Sequence, residues 1–299
     1  MPDRLVNATA RTGSCSLVAG VTTGLVEETT RRQRLSPTVS AALGRLLSAA
    51  ALLGVGLKGP ERLTLQIVGS GPIGGLVAEA WLLDATTVGV RGYARHPRVD
   101  VPLNGRGKFD VGRAVGIGRL QVTRSYEIGQ PYIGIVPLAS GEIGEDIATY
   151  LRDSEQIPSV VALGVLVNNE GIAAAGGAIA QLLPGADEAT IGELERAAGA
   201  LVPVATQIAA GADAEAVARS LSGSLALKPF TTYDVRFACR CSRERVETAL
   251  ASLGRDELLK MSMEPETPEA TCEFCQDRYY FSRDEVGAIV RRLERRQLG

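Results

Sequence analysis

Aromatic residues make up only 4% of this 299-residue chain, so its core has to rest on Val, Leu, Ile and Ala. Charge is nearly balanced as well. The formal net value of −2 leaves no electrostatic footprint for a general nucleic-acid binder. Long apolar runs are missing: the longest nearly apolar stretch, Ala49–Leu57, is far too short to span a bilayer. Met1-Pro2-Asp3-Arg4 leads into mixed polar sequence rather than an apolar signal region. The single histidine, His96, precedes Pro97 in an apparent loop, has no nucleophile or ligand cluster beside it, and reads as a surface residue. Cysteine is confined too. Before Val235 only Cys15 occurs, and it reads as a buried or incidental thiol. Together these absences lead us to expect a soluble, cytoplasmic protein with no membrane segment and no specific nucleic-acid partner.

What the chain does have is concentrated near its end. Cys239-Arg240-Cys241 is followed by Cys272-Glu273-Phe274-Cys275, a CxC and a CxxC separated by enough chain to fold back. In an extended segment residues i and i+2 point the same way, so Cys239 and Cys241 can face one ion, and Cys272 and Cys275 can do so from a tight turn. Two close pairs of soft sulfur ligands match a tetrahedral four-cysteine zinc site. Four thiolates close the coordination sphere, which argues against a zinc-activated water and against zinc catalysis. Such a site can staple a small domain that lacks its own core. It can equally act as a redox sensor, because accessible thiolates oxidise to disulfides. The spacing satisfies both readings. Reduced, metal-spaced cysteines suit a reducing compartment.

Earlier in the chain, Ser16–Val21 reads as a strand and Leu25–Arg34 as a helix. Ser36-Pro37 is a helix start, Ser at the N-cap and Pro in the first turn, opening a long apolar helix to about Leu57. Arg62–Val68 alternates apolar and polar residues, the period of a half-buried strand. Leu76–Leu83, Val88–Tyr93, Leu120–Tyr126 and Tyr132–Leu138 follow as strands, and Ser140-Gly141-Glu142 opens a helix to Arg152. Val160–Val167 and Ile172–Ile179 form a hairpin turning at Asn168–Gly171. Strands and helices without a regular βαβ repeat favour an α+β domain on a mostly antiparallel sheet.

Pro184-Gly185 then marks a boundary. Ala186–Leu227 is rich in Ala, Gly and Glu and reads as a helical linker of low local stability. A helical hairpin packed on the first domain satisfies that composition equally well. The expected organisation is 1–183 as an N-terminal α/β domain, 184–231 as linker, and 232–299 as a cysteine-bearing domain. In the last, Arg243–Leu253 and Asp256–Met261 are helical, Tyr279–Phe281 is a strand, and Ser282–Glu285 is a capping box. The basic run Arg291-Arg292, Arg295-Arg296 reads as a solvated helix end.

Two motifs point elsewhere. Gly69–Gly74 matches GxGxxG after a strand, yet Pro72 removes an N–H where a pyrophosphate needs donors, and the acidic residue about twenty positions on is missing. A turn between antiparallel strands explains it more simply. A thioredoxin-type dithiol would place the CxxC at a helix start, whereas Cys275 leads into Tyr279-Tyr280-Phe281 and a second cysteine pair is present.

The assembled pattern closely resembles the heat-shock protein 33 family over almost the full length. The resemblance runs through Thr23–Glu28, Ala41–Arg45, Leu57-Lys58-Gly59, Gly71–Gly75 and Ser140–Ile143. It continues through Ser154–Ser159, Ala175-Gly176-Gly177, Gln181–Gly185, Cys239–Ser242 and Cys272–Cys275. It implies a redox-regulated holdase chaperone, not an enzyme, with an α/β domain, a helical linker and a redox-switch domain. In the reduced, inactive state Cys239, Cys241, Cys272 and Cys275 would hold one zinc ion. Oxidation would form Cys239–Cys241 and Cys272–Cys275 disulfides with loss of the metal. Switch domain and linker would unfold, and the protein, then a homodimer, would hold unfolded client proteins without ATP.

Overall fold

In the computed structural model, which describes residues 2–263 and 268–297, the chain separates into two compact units, 1–238 and 239–299. The first opens with β1 (Arg4–Thr9), β2 (Cys15–Val21), α1 (Thr23–Gln33) and α2 (Pro37–Gly54). Next come β3 (Arg62–Gly69), β4 (Gly75–Asp84), β5 (Thr87–Ala94), the short α3 (Val111–Val115), β6 (Gly118–Ser125) and β7 (Tyr132–Pro137). After α4 (Gly144–Asp153) come the long hairpin strands β8 (Ser159–Asn168) and β9 (Gly171–Leu182). Three helices, α5 (Glu188–Gly199), α6 (Val204–Ala209) and α7 (Ala214–Ser222), precede β10 (Thr231–Phe237).

All ten strands share one sheet in the order β7-β6-β3-β4-β5-β10-β1-β2-β9-β8. Its pairings are antiparallel except β10 with β5, which run parallel with Val235 opposite Val88. This is the expected mostly antiparallel α+β architecture. The sequence reading grouped the segment from 232 on with the cysteines; in the structure β10 joins the two halves of the large sheet. Its partners, β1 and β5, lie far away in sequence, so no local periodicity announces it.

Helix α2 organises this unit. Every residue in it except Pro37 and Arg45 is buried, as expected for a helix that is apolar all round. By length and composition it is apolar enough to cross a bilayer, more than the run Ala49–Leu57 suggested, but 89% of it is buried inside the protein. Ser36 caps it as expected, its hydroxyl accepting from the Val39 N–H. Gly44 lets α1 and β8 come close: a Cβ there would lie 2.8 Å from Val26 and 2.9 Å from Val165. Around α2 packs the first core, including Leu5, Leu63, Leu65, Ile67, Val88, Val90, Val122 and Ile179. Side chains alternating with these on β1, β2 and β9 face the opposite way, toward α5–α7. They form a second core in which Val6, Leu17, Ala19, Ala174 and Ala178 meet Leu194, Val204, Ile208, Val217 and Leu221.

The start of α4 shows what holds an irregular turn in a buried position. The Asp146 carboxylate, fully buried, accepts from the N–H groups of Ala139, Ser140, Gly141 and Ile143. The glycines of the Gly69–Gly74 stretch serve packing. A Cβ on Gly69 would lie 2.0 Å from the Val115 carbonyl oxygen and one on Gly71 would lie 2.4 Å from that of Ala114, so the β3–β4 turn lies directly on α3. His96 is exposed, its Nδ1 2.8 Å from the Pro72 carbonyl, and Cys15 is buried in the second core.

The second unit holds α8 (Arg243–Ala251), α9 (Arg255–Met263), the hairpin β11 (Glu269–Thr271) with β12 (Arg278–Tyr280), and α10 (Arg283–Gln297). Among the described residues its buried core comprises Leu250, Leu258, Phe281, Val286, Ile289 and Val290. The capping box at Ser282 is formed: its hydroxyl accepts from Glu285 N–H, and its own N–H donates to the Glu285 carboxylate at 2.7 Å. Arg292 pairs with Glu247 at 2.6 Å, while the side chains of Arg295 and Arg296 lie outside the described residues.

Candidate metal centre

The residues Cys239 and Cys241 lie in extended, irregular chain just before Ser242, whose hydroxyl caps α8 by accepting from the Arg245 N–H. Cys272 directly follows β11, and the turn Cys272–Asp277 reverses the chain into β12. That turn is closed by Cys272 N–H to Asp277 O at 2.9 Å and Gln276 N–H to Cys272 O at 2.8 Å, with Gln276 in the left-handed region at φ 64°. The fold brings together all four cysteines singled out in the sequence. Their Sγ atoms lie within 4.8 Å of one another, with Cys239–Cys241 and Cys241–Cys275 at 3.3 Å and Cys239–Cys272 at 3.8 Å.

These distances decide what the cluster is. A disulfide needs about 2.0 Å between sulfurs, so the four are free thiols. Four thiolates around a tetrahedral metal at about 2.3 Å would sit about 3.8 Å apart along each edge, close to the observed separations. The residues that could hold a metal are Cys275, buried, with Cys239, Cys241 and Cys272 half-buried.

The donor set carries its own electrostatic demand. Hydrogen bonding with Cys239, followed by burial, pushes the Cys272 thiol far above its usual range. Burial, followed by hydrogen bonds from neighbouring sulfurs, pushes Cys275 up to about 12. Backbone N–H groups oppose this, Phe274 and Cys275 donating to Cys272 and Asp277 donating to Cys275. Donors therefore point at sulfurs whose burial and hydrogen bonding to one another resist ionisation. A cation at the centre reconciles the two, and a four-sulfur tetrahedral set suits zinc or iron. The residues fit a metal.

One participant was not foreseen. Tyr279, expected only as a strand residue, donates its phenol proton to Cys241 Sγ at 3.2 Å. Alternation in a three-residue strand is too short to show which side chain turns toward the sulfurs.

Comparison with known proteins extends the reading from the cluster to the chain. The profile of the Hsp33 protein family matches residues 3–282, which spans both units and all four cysteines. The chain belongs to the Hsp33 family. Among Hsp33 relatives, the 33 kDa chaperonin of Bacillus cytotoxicus is 43% identical over 98% of this chain and 100% of that protein. The 33 kDa chaperonin of Acetivibrio thermocellus is 41% identical over 98% and 99% respectively. The crystal structure of the Thermotoga maritima Hsp33 homologue superposes with a TM-score of 0.89 at 34% identity, covering 97% of this chain and 98% of that one. Membership makes this protein a chaperone and agrees with the large mixed sheet and C-terminal cysteine cluster.

Proposed function

We propose that this Hsp33 chaperone is an ATP-independent holdase switched on by oxidation of Cys239, Cys241, Cys272 and Cys275. The observation that carries the reading is a cluster of four metal-spaced sulfurs in a unit whose buried core, among the described residues, is six side chains. In the reduced state the four thiolates would hold one zinc ion. When bound, zinc supplies a cross-link worth on the order of 10 kcal/mol of folding free energy, comparable to the roughly 5–15 kcal/mol that stabilises a whole domain.

With a peroxide as oxidant, one thiolate of each pair attacks a peroxide oxygen. An S–O bond forms as O–O breaks, and hydroxide leaves. The second thiolate then displaces hydroxide as S–S forms, so two electrons pass from sulfur to peroxide. In the pairing we propose, Cys239–Cys241 and Cys272–Cys275, each disulfide removes two anionic ligands. The six-residue core is too small to keep the second unit folded without them.

Because β10 runs directly into Cys239, unfolding beyond it frees the strand's end. We place the next opening in the linker, 184–231, where the short helices α5–α7 dock through a few aliphatic side chains interspersed with Ala205, Ala214 and Ala218. Their release would expose Leu194, Val204, Ile208, Val217 and Leu221 together with Val6 and Leu17, an apolar surface suited to unfolded clients. The active form is proposed as a homodimer working in the cytoplasm, where reducing conditions keep the thiols metal-bound at rest.

The test is light scattering from a chemically unfolded client diluted into buffer without ATP, with reduced zinc-loaded protein or after peroxide treatment under mild heat. Suppressed aggregation only after oxidation is the expected result. Equal behaviour of the two forms, once oxidation of the four thiols is confirmed, would make the cysteines a structural staple.

A further inference from the structure

We propose that Tyr279 is a positioning residue of the four-sulfur centre, whose phenol holds Cys241 in place for the metal and blunts its attack on oxidant. This rests on the redox-switch reading above and names a residue that tunes it.

The two cysteine pairs are held differently. Cys272 and Cys275 lie in one turn, and N–H groups of that same turn donate to them. Cys241 belongs to the other pair, 38 residues before Tyr279, and takes its phenolic donor from β12, the strand that follows the turn. The hydroxyl thus fastens the CxC segment to the CxxC hairpin. The donor is rigidly placed. Residue 279 pairs with Ala270 across the β11–β12 hairpin, and its half-buried ring packs against the core of Leu250, Leu258 and Phe281.

A hydrogen bond to a thiolate draws electron density from sulfur. It orients the lone pairs toward the metal and lowers nucleophilicity, and partners of metal ligands are known to set affinity in this way. Without that proton Cys241 is held less firmly and attacks peroxide faster. The S–O bond then forms there as O–O breaks and hydroxide leaves, and Cys239 completes the disulfide by displacing the second hydroxide.

The experiment uses the full chain as wild type, Tyr279→Phe, and Tyr280→Phe as the neighbouring control. Three readouts are taken: zinc affinity by competition with a chromophoric chelator, alkylation rates of each cysteine in the zinc-loaded protein by peptide mass spectrometry, and the sulfur-to-metal charge-transfer band of the cobalt(II) form. Tyr279→Phe is expected to weaken zinc binding by about 10-fold, the low end of what loss of such a partner costs. Cys241 alkylation should accelerate relative to Cys272, and the cobalt band should shift, with Tyr280→Phe matching wild type on all three. Unchanged affinity and unchanged Cys241 rate would overturn the proposal. So would weaker binding with all four cysteines accelerated equally and no band shift, since that is a structural effect of the ring. A wild-type chain that binds neither zinc nor cobalt would instead overturn the switch reading on which the proposal rests.

Discussion

The two units bury apolar surface on very different scales. In residues 1–238 a helix is enclosed by a ten-stranded sheet, and two cores share the strands β1, β2 and β9 between them. Among the described residues of 239–299, six buried side chains, a fringe of half-buried ones and four sulfurs form the core. A large unit can lose one contact and keep its fold. A small one concentrates its stability in a few groups, and if those groups are oxidisable, stability itself becomes redox-dependent. That difference makes the second unit suited to be a switch and the first suited to survive it.

The sharpest way to break the comparison is to remove the metal. Chelation, or Cys275→Ser, should unfold residues 239–299, loosen the linker 184–231 next, and leave the α2-centred sheet protected, an effect on the order of 10 kcal/mol centred on the second unit. Hydrogen exchange resolved by peptide checks it, and equal loss of protection in both units would erase the distinction. Next come equivalent core truncations. Phe281→Ala should cost about 3–5 kcal/mol in the second unit and become sensitive to zinc concentration. Leu46→Ala should cost about 2–5 kcal/mol in the first, with no zinc dependence of its melting. Gly44→Ala probes close packing instead of cavity formation. It should destabilise the first unit by about 1–3 kcal/mol through overpacking against Val26 and Val165, read from its denaturant midpoint.

The smallest effect near neutral pH concerns Tyr150. Its side chain is fully buried and donates to the Glu155 carboxylate, and burial followed by that hydrogen bond raises its pKa above the usual tyrosine value of about 10. The folded state therefore favours the protonated phenol. Its contribution is complete below pH of about 10 and declines as pH rises toward the folded-state value. Tyr150→Phe should flatten the alkaline limb of the first unit's stability profile and leave the second unit's unchanged.

Much of this was legible in local sequence. Ser36-Pro37 opened α2 where the cap geometry places it, the alternation of Leu63, Leu65 and Ile67 marked β3, and Asn168–Gly171 turned the β8–β9 hairpin. Ser282 and Glu285 formed their reciprocal cap. These features depend on residues within one turn or one strand of each other. The strands β1 and β10 were not foreseen, because short mixed segments become strands only through partners elsewhere in the chain. The same reason kept local sequence from showing that the segment after Thr231 pairs with β1 and β5.

The cysteine spacing alone marked four soft donors that could hold a metal ion, since donor softness and number are properties of residue type. Composition likewise settled that the core would be aliphatic. Tertiary structure decided what residue types leave open: which sulfurs approach one another, that Tyr279 reaches Cys241, that β10 runs parallel to β5, and that α5–α7 cover the second face of the sheet. Those are distances between segments remote in the chain, and they are set by how the whole molecule excludes water rather than by any short stretch of it.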